Sequence, residues 1–206
     1  MKITKKILVI TFLLLTSIKV FADSPLTSTR FYKAYSNEAI IKEAASCNGI
    51  LSENLMIYLT DPLNPIDIKM ALINQLGWDT KRKKNSNIFM RYVKKVYGFK
   101  TDESLINSMS GEGLTCLAYL KAMDNYFDVK QALDYSNLAI KKSPTSSTVN
   151  IINALIKSQT FLYNNKCKVY QVLEDVRVNS DLKNDFKKEA IDIIFEYVKI
   201  YRKYCN

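Results

Sequence analysis

Histidine is absent from all 206 residues. That excludes Ser-His-Asp and Cys-His catalytic arrangements, zinc centres that use histidine, and the side chain most often employed as a base near neutral pH. No G-x-S-x-G, P-loop or dinucleotide-binding glycine pattern occurs either, so the familiar nucleophile elbow and phosphate cradles are missing. Glycine and proline are scarce, at five and four. Sandwiches and barrels need far more frequent turn punctuation, so helix is favoured throughout. Beyond residue 22 there is no stretch of about 18 apolar residues, and no later segment is expected to span a bilayer.

What is present begins with the N-terminus. Lys2, Lys5 and Lys6 precede an apolar run over residues 7–15, and Val20-Phe21-Ala22 ends it on a small residue. This pattern predicts a secretory signal, residues 1–22, cleaved after Ala22; the run is too short to cross a membrane. The residue directly after the cleavage site is Asp23 and not a cysteine, so a lipid anchor is not indicated. The expected product, residues 23–206, is long enough for one domain and scarcely for two. Four of the 30 basic residues and no acid lie in the signal, which leaves 26 basic against 20 acidic groups, a net charge of +6. An excess of that size suits an anionic partner such as an acidic protein or an envelope component, and falls short of a nucleic-acid footprint.

All four cysteines, Cys47, Cys116, Cys167 and Cys205, lie beyond the signal. An even count in an oxidising compartment predicts two disulfides, with three pairings open. Cys167 with Cys205 is preferred because both fall in the last helical segments, which leaves Cys47 with Cys116. No C-x-x-C occurs and the spacings do not resemble a zinc site, so neither metal nor cofactor is expected.

Apolar spacing predicts a series of helices. After a polar lead-in (residues 23–29) comes an aromatic patch, Phe31, Tyr32 and Tyr35, and then Ser36 as the cap of a helix through Ala45. Ser52 caps a second helix, residues 52–59, stopped by Asp61-Pro62. Pro65 opens a third, in which Ile68, Leu72 and Leu76 recur at every fourth position before Gly77. Lys81, Arg82, Lys83 and Lys84 follow as a basic loop, then a helix over residues 87–97 ended by Gly98. Further helices are expected at 117–126, 129–141, 148–163, 167–178 and 182–204.

Two stretches resemble known helical repeats. Asp67-Ile68-Lys69, Ala71 and Leu76-Gly77 (residues 67–77) resemble the second helix of a HEAT-type repeat. Across residues 114–144, Ala132, Ala139 and Pro144 keep the spacing of a tetratricopeptide (TPR) unit. The chain departs from that unit in its first helix, where Cys116 and Leu120 replace the usual aromatic and glycine. The resemblance implies an all-α, short α-solenoid-like array of helical hairpins. Such a stack presents a concave face to a partner, so the implied role is non-enzymatic binding of a protein or envelope component outside the cytoplasm.

Alternatives of other classes are an immunity or inhibitor protein against a toxin, a disulfide-stapled structural envelope protein, and a carboxylate-dependent cell-wall glycan hydrolase. For the last, Glu112 in Ser110-Gly111-Glu112-Gly113 is the candidate acid. Its position just before Leu114 suits a helix start better, since an oxygen acceptor and a negative charge are favourable there. No catalytic residue is assigned. Lys81, Arg82, Lys83, Lys84, Tyr32 and Tyr35 are the expected partner contacts.

Overall fold

A computed structural model describes residues 24–78 and 83–205. The expected signal, and Lys81 and Arg82 of the basic run, lie outside the described residues. Those residues form eleven α-helices and two 3-10 turns, with no strand beyond one isolated bridge between Ser146 and Lys183. The chain runs α1 (Pro25–Ser28), a 3-10 turn (Phe31–Tyr35), α2 (Ala39–Ser46), α3 (Glu53–Thr60), α4 (Ile66–Leu76) and α5 (Asn85–Tyr97). It continues with α6 (Asp102–Ser108), α7 (Gly111–Asp124), α8 (Lys130–Lys142), α9 (Ser147–Gln159), α10 (Lys166–Arg177), α11 (Lys188–Val198) and a closing 3-10 turn (Lys199–Tyr204). The protein is therefore all-α, as its composition predicts. Among the described residues no helix is long and apolar enough to cross a membrane.

Several helices start where a local acceptor is available. The Ser52, Ser110 and Ser146 hydroxyls accept from the N–H groups of Leu55 (3.4 Å), Gly113 (3.1 Å) and Val149 (3.1 Å), contacts worth about 1 kcal/mol each. Ser36 does not cap α2: it ends the first 3-10 turn, its N–H donating to the Lys33 carbonyl, and Glu38 takes the cap position. Helix α6 was not expected from apolar spacing; a Thr101–Ser104 capping box starts it. Helix α11 begins at Lys188 instead of residue 182 because the preceding loop is used elsewhere. There Asp185 accepts from the Thr148 N–H at 2.8 Å and the Ser147 hydroxyl at 2.8 Å, closing the start of α9.

The core is organised around α4 and α7, which lie side by side and run parallel. Lys69 meets Glu112 near their N-termini, Asn74 meets Tyr119 midway, and Trp78 meets Tyr126 beyond their C-terminal ends. Both are buried on most sides: Met70, Ala71, Leu72 and Ile73 in α4, and Leu114, Cys116, Leu117, Ala118 and Tyr119 in α7, are fully sequestered. Helix α8 folds back antiparallel on α7. A Cβ at Gly111 would lie 2.2 Å from the Ser143 hydroxyl and 3.1 Å from the Ala139 carbonyl, so glycine is what lets the pair approach. Ala132 and Ala139 are fully buried on the facing side, and close packing is achieved with Cys116 and Leu120 in the first helix.

The expected lead-in and the aromatic patch after it contribute to the core through Leu26, Phe31 and Tyr35. Leu26 and Phe31 are fully buried; Phe31 meets Phe186 edge-on at 5.4 Å and stacks on Tyr119 at 6.3 Å. Tyr35, expected at a partner surface, is 4 % exposed. Its hydroxyl donates to Asp67 (2.8 Å) and accepts from the Lys187 N–H (3.2 Å), because α11 packs over this turn. In a one-dimensional stack each unit touches only its neighbours; here the N-terminal segment reaches α9 and α11.

One expected bridge is formed. Cys167 and Cys205 are bonded, with Cα atoms 4.8 Å apart, tying the end of the chain to the first turn of α10. The other is not: Cys47 and Cys116 are free thiols. Cys47 ends α2 while Cys116 sits inside α7, and each of those helices packs against α4, which occupies the space between them.

Two measurements check this account. Closing a loop of 38 residues removes unfolded-state freedom, so C167S/C205S is expected to lose about 2–4 kcal/mol in urea unfolding. Burial raises the Asp185 carboxyl, but hydrogen bonds from Ser146, Ser147 and Thr148 outweigh it and hold the group below its ordinary 3.8. A lowered folded-state pKa gives stability that is complete above the unfolded value and lost as pH falls through the folded one. D185A should therefore be weaker by about 1–2 kcal/mol at pH 7, with the deficit shrinking below pH ~4.

Candidate functional site

Two surfaces stand out, at opposite ends of the α4–α7 pair. The first is an open groove of about 560 Å³ where the N-terminal ends of both helices meet α3, α5 and the segment through α6. Leu59, Phe89, Val93, Leu105 and Met109 form its apolar walls, and Lys69, Glu112 and Lys142 are the charged residues that line it. Lys69 shares the face of α4 that carries Ile66, Met70 and Ile73, spaced three and four residues apart. That face is inward, so the lysine is carried into the interior at 2 % exposure.

Its ammonium has one protein acceptor among the described residues, the Glu112 carboxylate at 3.3 Å. Charge-assisted N–H···O bonds are normally about 2.7–2.9 Å, so this contact is loose. Glu112 stands in the first turn of α7 with 41 % of its side chain exposed, and Ser110 caps that turn. Lys142 is committed differently: its ammonium donates to the carbonyls of Asn107 (2.8 Å) and Met109 (2.5 Å), closing the C-terminal end of α6.

Chemically, the groove offers a cation and a helix N-terminus at the floor of an apolar slot. Glu112 is its single lining carboxylate, so a facing pair of acids, the arrangement glycan hydrolysis requires, is not assembled there. One turn further along α7, burial pushes the Cys116 thiol up to about 12 despite the nearby Lys69. It stays protonated and is not a nucleophile. Among the described residues no three His, Cys, Asp or Glu side chains gather as metal ligands.

The second surface is aromatic. Trp78, directly after Gly77 (φ +65°), meets Tyr126 edge-on at 4.8 Å, and Tyr126 meets Phe127 at 4.1 Å. Trp78 is 38 % exposed, Phe127 51 % and Tyr163 68 %. Burial, and after it the Tyr163 phenol, raise the Tyr126 pKa. A crevice lined by Lys83, Lys84, Lys121 and Lys130 and by Asp124, Asp128 and Asp134 opens beside the loop that holds Tyr126 and Phe127.

The expected contacts are placed unevenly. Lys84 is exposed at the start of α5. Lys83 is half-buried, and its ammonium closes the C-terminal end of α4 by donating to the Leu76 (2.5 Å) and Gly77 (3.0 Å) carbonyls. Tyr32 packs half-buried on the core, with its N–H bonded to Asn74 at 3.0 Å. The aromatic cluster itself escaped sequence reasoning. Its available signals were a lone tryptophan just past a helix-ending glycine and the adjacent Tyr126-Phe127 in an inter-helix loop. No protein-family model, no curated protein and no solved structure matches this sequence.

Replacing a loosely paired buried charge by an apolar side chain of similar length is commonly neutral or stabilising. K69M is therefore expected to keep its helical circular dichroism and to melt no lower than the wild type; Glu112, partly in water, tolerates the loss of its partner.

Proposed function

We propose that this chain is an exported, non-enzymatic helical protein that binds another protein through the aromatic surface at the C-terminal ends of α4 and α7. The observation that carries the reading is the Trp78–Tyr126–Phe127 cluster: three large rings in contact while Trp78 and Phe127 remain exposed to water, with the exposed Tyr163 on the neighbouring inter-helix loop. Burying such rings is costly to forgo. Each offers on the order of 150–250 Å² of contact area, and Trp and Tyr dominate the energetics of protein interfaces. The crevice beside the cluster carries lysines and aspartates together, which favours a partner with polar groups of both signs around an apolar centre.

The export half of the reading rests on the signal-like residues 1–22 and on the Cys167–Cys205 bond, since disulfides persist mainly in oxidising compartments. The proposed architecture, a short α-solenoid-like array, is supported by the successive hairpins α7–α8 and α9–α10, whose helices contact one another. In such arrays the concave side and the inter-helix loops are where partners dock, and Tyr126, Phe127 and Tyr163 are loop residues.

The test is a pull-down from the native envelope fraction with the chain from residue 23 onward, run beside its W78A/F127A variant, with calorimetric titration of any recovered protein. Wild type should bind one protein at least about 100-fold more tightly than the variant, since two such truncations each cost about 1.4 kcal/mol or more. Equal binding by both would overturn the assignment, as would a homodimer that the same variant converts to monomer. If the recovered partner were a secreted toxin, its inhibition on binding would mark the protein as an immunity factor.

A further inference from the structure

The groove at the other end of α4 and α7 has no part in the reading above. We propose that it binds a long-chain amphiphile bearing one negative head group, a carboxylate, with the head on Lys69 and the hydrocarbon along Leu59, Phe89, Val93, Leu105 and Met109. Three observations converge on that chemistry. The volume, about 560 Å³, lies within the range of roughly 300–1,000 Å³ typical of small-molecule sites, and the walls are apolar. The floor holds an ammonium with three donors but one acceptor among the described residues, at a long 3.3 Å. The first turn of the 14-residue helix α7 lines the same floor, and its N–H groups and dipole favour an anion.

Charge selects the kind of head group. Lys69 and Lys142 against Glu112 leave a single positive charge among the lining side chains, which one carboxylate neutralises and a doubly charged phosphate exceeds. Glu112 then has a defined part. In the free protein it is the internal counter-ion of Lys69, weakly held and half in water; an arriving carboxylate takes its place, and the Glu112 side chain swings outward. Burying Lys69 with no counter-ion is expensive, so the residue that competes with the ligand also makes the empty groove tolerable.

The probe is cis-parinaric acid, a fluorescent 18-carbon fatty acid, displaced by palmitate, by methyl palmitate or by lysophosphatidylglycerol. Wild type should bind the probe and release it to palmitate at least about tenfold more readily than to the ester, a difference of one charge-assisted contact. K69M should weaken palmitate binding about tenfold or more and leave methyl palmitate unchanged. E112Q, which removes the competitor, should tighten palmitate about three- to tenfold. No probe binding by wild type, equal affinity for acid and ester, or E112Q binding more weakly would each overturn the proposal. A preference for lysophosphatidylglycerol over palmitate would overturn the carboxylate assignment. Should K69M fail to fold, the ester comparison and E112Q still decide the matter. The W78A/F127A variant should bind palmitate as wild type does, so failure here and failure of the protein-binding reading are separable.

Discussion

Asn74 occupies the position on which the rest of the packing converges. Its carbonyl oxygen accepts from the Tyr32 N–H, while its amide donates to the Thr29 carbonyl and the Tyr119 hydroxyl, all within 2.9–3.0 Å. A polar group buried without partners costs more than its bonds return, whereas a fully satisfied one fixes a single arrangement. Here the satisfied arrangement joins three pieces: the N-terminal segment, α4 and α7. It sets the register of the two parallel helices, so that Lys69 faces Glu112 at one end and Trp78 faces Tyr126 at the other. It also seats Phe31 between Tyr119 and Phe186, which brings α11 onto the first residues of the chain.

The second constraint is the ends of the helices. Each end leaves backbone groups without intrahelical partners, and the eleven helices of the described residues supply many such ends. Several are closed from a distance. Asp124, at the end of α7, accepts from the Asn85 and Ser86 N–H groups and so begins α5. Asn85 in turn accepts from the Leu51 N–H and donates to the Gly49 carbonyl, holding the connection between α2 and α3. Asp185 starts α9, Lys83 finishes α4 and Lys142 finishes α6. These contacts cross-link successive helices, and α11 packs on α1 and on the first 3-10 turn, so the ends of the array touch.

That division explains what could be read from the chain alone. Helix content and the starts at Ser52 and Ser110 follow from spacing and from a hydroxyl three residues ahead of a free N–H, both local facts. The Cys167–Cys205 bond was legible because the two residues fall in consecutive terminal elements. Burial of residues 24–35 was not legible: Leu26, Phe31 and Tyr35 stand among serines and threonines with no helical period, and only the distant partners Phe186, Asp67 and Lys187 show why they are inside. Remote caps are invisible for the same reason, since nothing in the order Lys84-Asn85-Ser86 points to Asp124. Lys69 left a faint trace, as the one charge on a face shared with Ile66, Met70 and Ile73. Read as part of a repeat-like pattern, it was not recognised as a buried cation.

The parallel α4–α7 pair also determines how the two surfaces relate. At about 1.5 Å per residue, Tyr126, 14 positions after Glu112, lies roughly 20 Å from it along α7, and Trp78, nine positions after Lys69, lies about 14 Å from it along α4. Both helices are buried over most of their length and pinned at the middle by Asn74 and Tyr119. Changes more than about 7–10 Å apart with no shared partner add independently, and no side chain of the aromatic cluster lines the groove. The same rigid pair thus presents an apolar slot with a cation at one end and a set of exposed rings at the other. An occupant of the slot would alter the rings only by shifting α4 against α7, and such a shift must break the hydrogen bonds of Asn74. The register that positions both surfaces is therefore what keeps them separate.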